Sequence, residues 1–355
     1  MSNLYISTYP ASYRIDFCNA LAREADFRIF HYVETPDDGA VLRDAVFPAE
    51  RLDIVSRGGK VKARNLLALL EETRPEIVLV QEFSLIALEL LRYRKRFGYK
   101  VLSLCDDSLD MIRGNDFAWT HRAARCVVPR LLDGLVLHSP EVRDWYRARF
   151  GKGFFMPLVA DANRVRPLLE EALPEAETLR TRYGLDGTPV VGFVGRLVGL
   201  KNIPTLLEAM AGIPARLVLI GDGVERKALE TMAAHSGRDV LFAGHQDPSR
   251  MGAWYNLLDV LVLPSTREAY GAVTGEALMA GCPVVVSARA GSSSLVREGE
   301  NGHLVDPGSP AAVAEAVRDL LGRTEAGRPL ALRPDLLPYA FRECMDGLLK
   351  EINAL

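Results

Sequence analysis

Short, nearly continuous apolar runs separated by amphipathic stretches recur along this chain, and the rhythm starts twice. In the first half LYIS (4–7), FRIFHYV (27–33), EIVLVQ (76–81), KVLSLC (100–105) and GLVLHS (134–139) each end in polar or turn residues. Helical patterns lie between most of them, such as KARNLLALLEETR (62–74), with Leu66, Leu67 and Leu70 on one face. Strands that are apolar throughout, rather than alternating, belong to parallel sheets covered by helices on both sides. A second series begins after residue 187: PVVGFVG (189–195), RLVLIG (216–221), VLFAG (240–244), DVLVLP (259–264) and PVVVSA (283–288). The stretch 160–187, rich in proline and acids, reads as a connection plus one peripheral helix. DLLPYAFRECMDGLLKEINAL at the end reads as one or two helices.

The fold class is therefore α/β, with two Rossmann-like, doubly wound parallel-sheet domains facing a cleft. The expected limits are 1–165 and 166–330, with helices in 331–355 packing back toward the N-terminal domain. A chain of 355 residues suits two domains of roughly 150 residues each. Ligands in such sheets bind beyond the C-terminal ends of the strands.

A net charge of −3 supplies no global field toward nucleic acid. Five cysteines without CxxC spacing argue against a disulfide framework or zinc site and for a reducing, cytoplasmic setting. MSNLYISTYP lacks the basic and apolar regions of a signal peptide. No apolar run reaches the ~18 residues of a membrane span. Basic residues cluster in RGGKVKAR (57–64) and RYRKRFGYK (92–100). They read first as solvated faces. The alternative is peripheral contact with anionic lipid on the inner face of the plasma membrane, at about 1 kcal/mol per cation.

Two stretches carry chemistry. In GFVGRLVGLKNIPTLLEAM, Gly195 and Arg196 follow a strand and Lys201 precedes a helix from Ile203. Two cations at a helix start make an anion site, suited to a diphosphate. The pattern is not a P-loop, since GxxxxGK[ST] is absent. In PSTREAYGAVTGEALMAGCPVVVS, a strand ends, Ser265 to Gly271 form a turn, and a helix begins near Ala272 or Val273. Gly281 is a plausible residue just past its end. The amides of Tyr270 to Val273 would face a phosphate. Glu276, on the first turns, suits a ribose diol; a helix dipole would favour an acid there equally well. Glu268, on the other side, would face whatever the phosphate carries.

VGRLVGLKN together with EAYGAVTGEALMAGCPVVVSARAGSSSLVREGENGHLVDPG resembles the retaining glycosyltransferases of family 4, which have the GT-B fold. The family's spaced glutamates and Gly-x-Pro-Val-Val fall on Glu268, Gly271, Glu276, Ala277, Gly281, Pro283, Val284 and Val285. The detailed likeness covers 188–310; YPASYRIDFCNALA (9–22) is similar to the start of some capsule and exopolysaccharide members. The resemblance implies transfer from a UDP- or GDP-linked sugar to a glycan or lipid-linked acceptor in bacterial surface polysaccharide synthesis, without metal or other cofactor. It implies that Arg196 and Lys201 bind the donor diphosphate, Glu276 the ribose, and Glu268 the transferred sugar. Backbone at Gly271, Ala272 and Val273 would hold the distal phosphate, with Gly195 and Tyr270 beside it. His245, in FAGHQD (242–247), would lie near the base.

The family often has a glycine pair after the first strand. STYPASYR (7–14) has none, and Arg14 is the candidate substitute cation. CDDSLD (105–110) is not read as a metal-binding motif; its acids line the acceptor cleft or are solvated. His121 and His138 are candidate cleft residues; a lone histidine is more often structural, and neither is counted as catalytic. No nucleophile–base pair stands out, so front-face attack is expected, with the departing phosphate taking the acceptor's proton. The rivals are a 2-epimerase-like nucleotide-sugar enzyme, which should lack the spaced glutamates, and a non-catalytic partner subunit, which should have lost Arg196, Lys201 or Glu268.

Overall fold

The computed structural model describes residues 2–35, 38–57, 60–114, 119–324 and 327–355. The chain divides into two compact units: 1–160 with 341–355, and 161–340.

In the first unit the strands are β1 (Asn3–Ser7), β2 (Phe27–His31), β3 (Glu50–Arg51), β4 (Ile54–Arg57), β5 (Lys60–Ala63), β6 (Ile77–Gln81), β7 (Lys100–Cys105), β8 (Gly134–Leu137) and β9 (Phe154–Phe155). Seven form one sheet in the order β3-β2-β1-β6-β7-β8-β9, and every pairing in it is parallel. The winding reverses between β1 and β6. Strands β4 and β5 form a separate antiparallel hairpin. The helix expected from residue 62 therefore starts only at Leu66. Val61 and Ala63 alternate inward against the core, a period-two pattern that the leucines directly after it obscure.

Within the cluster 57–64, Gly58, Gly59 and the side chains of Arg57 and Lys60 lie outside the described residues. In the cluster 92–100, two cations are tied into the fold. Arg94 donates to the carbonyl of Leu131 at 2.7 Å, at the end of helix Trp119–Leu131, and Arg96 pairs with Glu71 at 2.7 Å. The C-terminal helix, Phe341–Asn353, buries Phe341, Met345, Leu348 and Ile352, one face of a 3.6-residue repeat. Arg147–Glu351 at 2.8 Å and Arg342–Glu24 at 2.5 Å fasten it to the first unit.

The second unit holds β10 (Val190–Val194), β11 (Arg216–Ile220), β12 (Val240–Gly244), β13 (Val260–Leu263), β14 (Val284–Ser287) and β15 (Gly302–Val305). Their order is β12-β11-β10-β13-β14-β15, all parallel. The winding reverses between β10 and β13, so the two sheets share one topology. Two helices, Ala162–Glu171 and Leu173–Arg182, stand where one was expected. Pro174 sits at the start of the second, where a missing N–H is harmless; within a continuous helix it would break the ladder.

The stretch after residue 327 straps this unit together. The guanidinium of Arg333 donates to the carbonyls of Leu258 at 2.7 Å, Tyr255 at 2.8 Å and Ala280 at 3.1 Å. These close helices Met251–Leu257 and Val273–Met279. A cation there completes the orphan carbonyls and suits the negative ends of both dipoles. Gly281 adopts φ 69°, and a Cβ on it would stand 2.4 Å from the Cβ of Arg333, so the strap and the glycine require each other. Arg333→Met should lower the urea midpoint of the second unit, at a cost of ~2–3 kcal/mol for charged hydrogen bonds lost. Arg333→Lys should recover only part, because one ammonium cannot match the fork. An unchanged midpoint in both would show that the strap is not structural.

Candidate active site

The reversal between β10 and β13 sends the loops after these strands in opposite directions, and several interactions stitch them together. Asn202, in the left-handed region at φ 55°, donates to the carbonyls of Pro307 at 2.7 Å and Pro264 at 3.2 Å. Thr205 holds the other side of its amide at 2.9 Å. The amide of Thr266 reaches the carbonyl of Leu200 at 2.9 Å. Over this frame, Lys201 forms an ion pair with Glu268, whose same oxygen accepts Ser265 Oγ at 3.3 Å. The two charged side chains are 17% and 14% exposed, so the pair is sheltered but open on one side. Arg196 follows β10 on the exposed surface.

Residues 268–274 are held from beneath by 290–292. Glu268 bridges Ala290, the amide of Ser292 donates to Tyr270 at 2.8 Å, and the hydroxyls of Thr274 and Ser292 lie 2.9 Å apart. Gly271 has φ 94°, and a Cβ there would stand 2.7 Å from Leu263 Cδ2; only glycine makes this turn. It aims the chain into helix Val273–Met279, whose first amides have no intrahelical partners. Glu276, half-buried on that helix, accepts the phenol of Tyr255 at 2.5 Å. Burial raises its carboxyl, and the Tyr255 bond works in the other direction.

Gly195, Arg196, Lys201, Glu268, Tyr270, Gly271 and Ala272 thus lie on the two loops flanking the reversal, and Val273 and Glu276 on the helix that the second loop enters. His245 does not: it is exposed after β12, at the edge of the sheet. Its neighbour Gln246 is locked between the carbonyl of Ala243 at 2.7 Å and Trp254 Nε1 at 3.1 Å. Sequence reasoning missed Asn202, Ser265 and Tyr255. Asn202 had a signal, an Asn one residue ahead of a helix that carries an early proline.

The first unit gathers a second polar group at its own reversal. The amide of Thr8, after β1, donates to Gln81 Oε1 at 3.0 Å at the end of β6. Arg14 is 3% exposed and forms an ion pair with Asp106. The candidate substitute cation is thus buried and paired with Asp106. His138 stands between Asp106, 2.9 Å from Nε2, and the carbonyl of Met156, 2.7 Å from Nδ1. Burial would raise the Asp106 carboxyl, but Arg14 and His138 outweigh it and hold the group well below the usual carboxylate range. Asp107 is buried and bound by Arg125 Nε at 2.9 Å and the phenol of Tyr146 at 2.7 Å, a structural role.

Glu82, after β6, adopts φ 60°, strained for a side chain with a Cβ. It accepts the amide of Asp106 at 2.9 Å. Burial, and then the charges of Asp106 and Asp107, push its carboxyl up to about 8. Two neighbouring acids are thereby driven apart, one ionised and one holding its proton. The raised value has a stability consequence. The folded chain keeps a proton that the unfolded chain has lost, so this contribution is full below the ordinary carboxyl value of 4.5 and drains away as pH rises to about 8. Stability of the first unit should fall with pH in that window by at most about 1.4 kcal/mol per unit, and Glu82→Gln should flatten the dependence. Equal slopes in wild type and variant would refute the assignment.

Residues 175–329 match the family model described as Glycosyl transferases group 1. Over 211 residues the chain is 36% identical to a D-inositol 3-phosphate glycosyltransferase of Corynebacterium urealyticum, covering 55% of this chain and 49% of that protein. Over 248 residues it is 32% identical to a GDP-mannose-dependent alpha-mannosyltransferase of Mycolicibacterium smegmatis, covering 67% and 60%. Over 149 residues it is 39% identical to the lipopolysaccharide core biosynthesis glycosyltransferase LpsE of Rhizobium meliloti, covering 41% and 43%. The chain thus spans about half the length of the curated relatives it matches. Among solved structures, Anabaena HepE in complex with UDP and glucose superposes with a TM-score of 0.79 at 17% identity, covering 100% of both chains. Sucrose-phosphate synthase from Thermosynechococcus elongatus gives 0.71 at 20%, covering 100% and 98%. The fold is GT-B.

Proposed function

We propose that this GT-B chain, whose residues 175–329 match the group 1 glycosyl transferases, is a retaining glycosyltransferase. It passes a sugar from a UDP- or GDP-linked donor to a hydroxyl of a glycan or lipid-linked acceptor in bacterial surface polysaccharide synthesis. The observation that carries this reading is the contact of Lys201 with Glu268 across the reversal of the second sheet, with Glu276 on the helix that follows. The donor belongs to the second unit (161–340) and the acceptor to the first (1–160 with 341–355).

As the bond from the anomeric carbon to the phosphate breaks, negative charge grows on the diphosphate. Arg196, Lys201 and the helix-start amides at Gly271 to Val273 meet it; removing one such donor typically costs about 10²–10³ in rate. Glu268 orients the transferred sugar and Glu276 accepts the ribose hydroxyls. Attack comes from the face that the phosphate leaves, and the phosphate takes the acceptor's proton. This chemistry calls on no metal and no resident cofactor. In the first unit, the ionised Asp106 and the protonated Glu82 offer partners to acceptor hydroxyls. Among the described residues no helix is long and apolar enough to cross a membrane. A cytoplasmic enzyme touching the inner membrane face through Arg92 and Lys95, both exposed, fits an acceptor carried on lipid.

Calorimetry with UDP and GDP separates the two glutamates. Glu276→Ala should weaken binding of the diphosphate ten- to a hundredfold, equivalent to about 1.5–3 kcal/mol. Glu268→Gln should do the reverse, tightening it roughly threefold or more by freeing Lys201 from a competing carboxylate, while donor turnover falls. If Glu268→Gln weakened the diphosphate as much as Glu276→Ala, or kept full turnover, the division of labour would be wrong. If the chain bound neither nucleotide, the whole reading would fall.

A further inference from the structure

The donor assignments leave one buried contact without a role. Tyr255 is 3% exposed on helix Met251–Leu257. Its phenol crosses to the neighbouring helix and donates to Glu276 Oε2 at 2.5 Å. Burial and the Glu276 carboxylate keep that phenol protonated well above its usual range, so it acts as a hydrogen-bond donor at any working pH. A carboxylate offers about four acceptor positions. Tyr255 occupies one on Oε2, which stops the group from rotating and leaves the rest in a fixed plane. Both helices are in turn clamped by the one guanidinium of Arg333, through the carbonyls of Tyr255 at 2.8 Å and Ala280 at 3.1 Å. Phenol and carboxylate therefore cannot drift apart independently.

We propose that Tyr255 is the positioning residue of the ribose site, fixing the Glu276 carboxylate so that its remaining acceptor positions meet a vicinal diol. The inference rests on the reading of Glu276 as the ribose ligand. Tyr255 itself touches no nucleotide in this account. Its effect is confined to ligands that carry both ribose hydroxyls, and a merely structural phenol would have no such selectivity.

The test is calorimetry on the full chain with UDP and GDP, each beside its 2′,3′-dideoxy analogue. Wild type should prefer the ribonucleotide ten- to a hundredfold. Tyr255→Phe, which keeps the ring, should weaken the ribonucleotide on the order of tenfold and leave the dideoxy analogue within about twofold. In a Glu276→Gln background the same substitution should change neither, since the two residues act as one unit. Equal losses for both analogues, or losses that add in the double variant, would overturn the inference and leave the donor reading standing. Failure of wild type to bind either ribonucleotide would overturn both.

Discussion

A parallel sheet that reverses its winding must leave two adjacent strands whose following loops run apart, and both units of this chain are built around such a reversal. In the second unit the reversal fixes where chemistry can sit. The loops after β10 and β13 open a gap that the backbone alone cannot close, and the chain spans it with Asn202, with the Thr266–Leu200 hydrogen bond and with the Lys201–Glu268 ion pair. The first two are neutral and fixed. The third is a sheltered charge pair, and it is the one that an incoming anion can open. On the proposed reading, a diphosphate, which carries more negative charge than one carboxylate, would draw Lys201 away from Glu268 and release Glu268 toward the sugar.

The elements that hold this arrangement lie on the far side of two short helices. Each helix has about two turns, too few to be stable by propensity. Arg333 gathers their carbonyl ends, Gly281 lets the strap approach, and Tyr255 ties the first helix to Glu276 on the second. Packing at the back of the unit is thereby converted into geometry at the front.

Much of this was legible in the sequence, and the missing part has a common cause. The apolar runs predicted the strands, since a strand buried on both faces needs no partner to be recognised. The turn at Gly271 and the spacing from Glu268 to Glu276 were readable because they are local. What stayed hidden was contact between distant positions. Arg14 stood out as a cation, but its counterion, Asp106, lies 92 residues away. Nothing in MGAWYNLLDVLVLP singles out Tyr255, whose phenol reaches Glu276, 21 residues on. The strap had no periodicity at all. The β4–β5 hairpin is masked by leucines at helical spacing directly after it, whereas Pro174, which splits the helices before β10, is a local signal visible in the sequence.

The central claim is that Lys201 exchanges Glu268 for the donor's diphosphate. A crystal structure with a bound UDP- or GDP-sugar tests it most directly. Lys201 Nζ should lie within hydrogen-bond reach of a phosphate oxygen, with Glu268 turned to a hydroxyl of the sugar. A donor seated in the second unit while Lys201 remains on Glu268, its phosphates held elsewhere, would contradict it.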